Sequence, residues 1–122
     1  HPHATFGLKM LIKFFDIVKL NIRSCAKCFS IIYTLPCRLD KEIVNYLVSF
    51  GGPKYNLAVT KLIKIIAQDD FEIEGKVGDK DLKLSMPKKF EKVHFDKNVR
   101  KIEFERALVD WIEQTLNITV TY

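Results

Sequence analysis

Cys25 and Cys28 enclose two residues, the spacing of a redox dithiol or of half a zinc site. Tetrahedral zinc takes four ligands. Cys37 would be the third and His94 the fourth, since no second C-x-x-C follows. Redox chemistry favours a first cysteine at a helix N-terminus inside a β-α-β unit, and no convincing helix follows Cys28. The plainer expectation is that these thiols are packing or incidental residues and that no cofactor is needed, with zinc the metal they would suit.

The remaining chemistry-bearing residues are weaker. His94 lies between Val93 and Phe95, which suits a structural histidine better than a general base. A base needs a nucleophile within hydrogen-bond reach, and neither Ser85 nor Cys37 has a spacing that implies contact. Glu72 and Glu74 fall on one strand face, about 7 Å apart by strand rise. Paired carboxylates can hold a hard cation or share a proton, but Lys76 and Lys83 predict a cross-strand charge ladder instead. Gly51-Gly52-Pro53-Lys54 lacks the spacing of a phosphate loop, and its proline removes an amide donor.

Charge points to partners. The chain carries a formal +5. Residues 1–68 hold ten basic and three acidic residues, a local +7; residues 69–122 hold ten and twelve, a local −2. Lys61, Lys64, Lys88, Lys89 and Lys92, with Phe90 interleaved, are the residues that would bind nucleic acid. A lysine-rich solvated surface accounts for the same pattern.

Positioning these residues takes one domain of 122 residues, large enough for a core without staples. Met10 reads as a natural start, which would make residues 1–9 an appended segment. An odd cysteine count argues against a secreted disulfide scaffold and for a reducing cytoplasm. No run reaches the ~20 apolar residues of a membrane span.

Alternation predicts strands at about 11–22, 29–35, 71–77 and 82–86, with a turn at Gly78-Asp79-Lys80. Asp40 caps a helix that Gly51 and Pro53 end. Asp96 or Asn98 caps a last helix to Leu116, with Val99, Ile102, Leu108, Trp111, Ile112 and Leu116 inward. Ile118–Tyr122 is a closing strand. Residues 55–67 fit a strand or a helix. As a strand they give an α+β domain, an antiparallel sheet with two main helices, whose element order resembles a ferredoxin-like sandwich. As a helix they give an order that resembles a winged helix-turn-helix.

No catalytic constellation emerges from these spacings. The expected function is a non-enzymatic binding or assembly module acting through protein contacts. Self-association as a homodimer through the closing strand is its concrete form, nucleic-acid binding the first alternative, and a Cys25/Cys28 metal or redox site the second.

Overall fold

A computed structural model describes residues 10–53, 57–67, 71–88 and 98–122. Alternating apolar residues build the main sheet. Its strands are β2 (Lys19–Ser24), β3 (Cys28–Thr34), β4 (Gly51–Pro53), β5 (Leu62–Ala67), β6 (Glu72–Lys76) and β7 (Asp81–Pro87). They lie in the order β2-β3-β7-β6-β5-β4, every neighbour antiparallel. The register brings Ile31, Leu84, Ile73 and Ile65 into one row, and all four are buried. One face is therefore apolar and the other carries the polar alternates, as a one-sided antiparallel sheet requires.

Two helices cover the apolar face. Helix α4 (Val99–Leu116) follows α1 (Phe14–Ile17), α2 (Ile43–Leu47) and α3 (Leu57–Thr60) in the chain. The Asn98 side chain caps α4 by accepting from the Lys101 amide at 3.2 Å, and Asn117 ends it in the left-handed region. Phe104, Leu108, Trp111 and Ile112 recur at helical spacing and are buried. Phe104 packs on Tyr33, ring centroids 5.2 Å apart. Asp40 accepts from the Glu42 amide at 3.0 Å and from Trp111 Nε1 at 3.1 Å, tying the entrance of α2 to α4.

Lys101 and Glu105 share the inward stripe of α4. Their side chains are 7% and 5% exposed and 3.1 Å apart, and the Tyr33 hydroxyl donates to Glu105 Oε2 at 2.8 Å. Pattern reading puts Val99, Ile102 and Leu116 inward instead; they are 64%, 38% and 38% exposed. Each residue turns about 100° round a helix, so the stripe that holds Phe104, Leu108 and Trp111 leaves Val99 and Ile102 on the far side and Leu116 beyond its edge.

Three further expectations change. The strand expected over 11–22 is broken: β1 (Leu11–Lys13) precedes the single turn α1, and β2 follows. One continuous strand would set Asp16 on the face of Phe14 and Val18. The turn closes Val18 N–H onto Phe14 O at 2.9 Å, buries both apolar residues and leaves Asp16 exposed. Residues 62–67 form a strand after the short turn α3, so the helix reading of 55–67, and with it the winged helix-turn-helix order, fails. Gly51-Gly52-Pro53 ends the preceding helical segment and also pairs with β5 as an edge strand. Gly51 has φ +153°, and a Cβ there would lie 2.1 Å from the Ile66 carbonyl oxygen.

The domain is thus α+β with a mostly antiparallel sheet. The closing strand β8 (Thr119–Thr121) pairs in parallel with β1, apart from the six-stranded sheet, so the ferredoxin-like order is not reproduced. No helix among the described residues is long and apolar enough to cross a membrane.

Candidate functional site

The β2–β3 register pairs Ser24 with Phe29, which leaves Cys25 and Cys28 facing each other across the two-residue tip Ala26-Lys27. The Cys25 amide donates to Cys28 O at 2.9 Å and closes the turn. This opposition follows from the hairpin itself, because residues flanking a two-residue loop are direct cross-strand partners. The sulfur atoms lie 3.0 Å apart, about 1 Å beyond a covalent S–S bond. Cys25 is exposed and Cys28 partly so.

The two thiols are not equivalent. Cys25 is held below its ordinary value, first by the hydrogen bond from the Cys28 thiol, then by the Cys28 and Lys27 backbone, with a further contribution from the Lys88 charge. Cys28 is pushed up, first by its hydrogen bond with Cys25 and then by desolvation. The Cys28 amide donates to Cys25 Sγ at 3.3 Å. Lys88 Nζ bonds the Ser24 hydroxyl beside the tip. A cleft of about 440 Å³ adjoins the pair on the polar face, lined by Lys27, Cys28, Glu72, Lys83 and Ser85 among others. The Cys25 thiol also donates to Cys28 O at 2.9 Å, so the two thiols differ in acidity, Cys25 lowered and Cys28 raised, beside Lys27, Lys83 and Lys88.

The other sequence-nominated residues do not gather here. Cys37 follows β3, at the end of the sheet where Leu35 N–H meets Lys80 O. Seven-residue β3, about 20 Å long, separates it from Cys28. Burial raises the Cys37 thiol to about 11. His94 lies outside the described residues, and no three His, Cys, Asp or Glu side chains among those described could hold a metal ion together.

The basic set divides likewise. Lys61 sits where its carbonyl accepts from Val77 N–H, at the turn end of β6. Lys88 follows β7 at the opposite end of the sheet. Lys64 lies 3.8 Å from Glu74, which Lys83 also approaches at 3.4 Å. Glu74 and Lys83 face each other across β6 and β7, the expected charge ladder. Lys89 and Lys92 lie outside the described residues. Tyr33 and Phe29 are buried, so they offer no surface for stacking bases.

The sequence predicts strands on both sides of the Cys25-x-x-Cys28 motif and no helix after it; the direct approach of the two thiols follows from the β2–β3 register. Lys83, Ser85 and Lys88 join the site only through the β3–β7 pairing, which no local spacing reports. No protein family, curated protein or solved structure matches this chain.

Proposed function

We propose that this domain works as a thiol–disulfide exchange module whose partner is a protein. The observation that carries the reading is the 3.0 Å approach of two inequivalent thiols at an exposed hairpin tip. Cys25 thiolate attacks one sulfur of a partner disulfide, and the other partner sulfur leaves as thiolate and takes a proton. Cys28 gives up its proton and attacks Cys25 Sγ, which breaks the mixed disulfide and frees the second partner thiol. The partner gains two electrons and two protons, and Cys25 and Cys28 end joined.

A protein partner fits the edge that leads to the site. β2 is an outermost strand and bears Lys19 and Arg23, which suit an acidic extended segment. Cys25 and Cys28 form a hydrogen-bonded pair, so by antiparallel alternation the Leu20 and Ile22 amides point outward. The closing strand is a poorer edge for the expected homodimer, because the Val120 amide already donates to Glu113 Oε2 at 2.9 Å. The same dithiol supplies two of the four ligands of a zinc site, and metal analysis of the purified protein separates the two chemistries.

The test is titration with oxidised glutathione, read by mass and by alkylation. Wild type should lose two hydrogens and both tip thiols. Cys28→Ser should stop at the glutathione adduct on Cys25, and Cys25→Ser should react far more slowly. A Cys25 that is alkylated at pH 7 no faster than Cys37 would sink the reading.

A further inference from the structure

A cavity of about 350 Å³ opens on the helix side of the sheet, lined by Phe15, Lys101, Ile102, Glu105, Arg106 and Tyr122. That volume holds about a dozen waters and lies within the ~300–1,000 Å³ range of small-molecule sites. Phe15 and Tyr122 are 58% and 62% exposed, and Ile102 is 38% exposed. Three large apolar side chains are therefore left uncovered around one concavity.

These walls are held in place. Phe14, fully buried, stacks on Tyr122 with centroids 5.3 Å apart and meets Phe15 edge-on at 5.2 Å. The polar lining is equally fixed. Tyr33 and Lys101 both bond the Glu105 carboxylate, which matches the negative charge of Glu105 to Lys101. Arg106 forms no ion pair with a described residue.

We propose that this cavity binds a small aromatic carboxylate. Its ring would lie among Phe15, Ile102 and Tyr122, and its carboxylate would face the Arg106 guanidinium, whose planar fork matches two carboxylate oxygens. This site is independent of the dithiol. It meets β3 through Tyr33, five residues and about 16 Å along the strand from Cys28, and on the opposite face of the sheet.

The experiment is an amide NMR titration of the whole chain with phenylacetate, and with neutral phenylacetamide as control. Saturable shifts at residues 101–106 and Tyr122 are expected, with a Kd of about 1 mM or tighter for so small a ligand. Phenylacetamide should bind at least about tenfold more weakly. Arg106→Gln should weaken phenylacetate by a similar factor, and Ile102→Trp should block the cavity. Arg106 is exposed and Ile102 partly so, hence both variants should keep the dispersed spectrum of the parent. Shifts that do not saturate, an amide that binds as well as the acid, or Arg106→Gln binding unchanged would each overturn the proposal.

Discussion

Replacing Glu105 tests the buried polar cluster most directly. The Glu105 side chain is 5% exposed, accepts from Tyr33 at 2.8 Å and lies 3.1 Å from Lys101 Nζ. Glu105→Leu deletes the carboxylate that both donors face. Breaking one side of a buried ion pair costs about 3–5 kcal/mol, and a buried hydroxyl stripped of its acceptor is part of that cost, about 1–3 kcal/mol. Against a total stability of ~5–15 kcal/mol, this is a large share. Glu105→Gln keeps an acceptor for Tyr33 and removes only the charge, so it should be milder than Glu105→Leu by about 1–2 kcal/mol. Lys101→Met/Glu105→Leu exchanges the pair for apolar groups and should recover much of the single-mutant loss. Urea unfolding at neutral pH reads all three. With m near ~1–3 kcal/mol/M, the Glu105→Leu midpoint should fall by about 1–5 M. A Glu105→Leu midpoint close to the parent's, or a double variant as unstable as the summed singles, would refute the argument.

Gly51→Ala should destabilise by at least about 2 kcal/mol, because alanine there is strained at φ +153° and its Cβ would strike the Ile66 carbonyl; amide exchange across β4–β5 should quicken, and a neutral result would contradict the pairing. Alkaline pH should also destabilise the fold. Burial raises Cys37 from 9.0 to about 11 and lifts Tyr33 above its ordinary 10.0. Both groups favour the fold when neutral, so their contributions are complete below those ordinary values. That of Cys37 is lost as pH rises from about 9 through about 11, and that of Tyr33 at still higher pH. The urea midpoint should drop over that range, and Cys37→Ala should flatten its lower part; a parent midpoint constant from pH 8 to 11 would refute the assignment.

The readable parts of this chain are those where one local pattern has one physical solution. Leu82 and Leu84, and Ile73, alternate with polar neighbours, Ile31 and Tyr33 fall in a β-branched and aromatic run, and each strand appears close to its expected bounds. Asn98 and Asn117 bracket α4 because cap chemistry is local. Reading fails where two periods agree. Phe14 and Val18 are four apart, which puts them on one side of a strand and on one side of a helical turn, so only the fate of Asp16 distinguishes the two. The inward face of α4 misleads for another reason. Lys101 and Glu105 are charged, and hydrophobic periodicity counts them as outward. Their own ion pair and the hydroxyl of Tyr33, on a distant strand, offset the cost of their burial.

The same distinction explains why the candidate site was half visible. Spacing reports that Cys25 and Cys28 are near in sequence, but the chemistry depends on which element lies between them. On a helix N-terminus the first thiol is activated by amides that follow it. On a hairpin tip it is activated by the residue across the turn: the thiol and amide of Cys28 do here what a helix terminus does elsewhere. The cross-strand geometry also makes the pair unequal, since their mutual hydrogen bond lowers the Cys25 thiol and raises that of Cys28. Exchange needs both states at once, an attacking thiolate and a resolving thiol that reacts second. In the exchange proposed above, Cys25 would therefore react first and Cys28 second. Cys28→Ala, which removes the side-chain hydrogen-bond partner, should return Cys25 alkylation toward the rate of an ordinary exposed thiol.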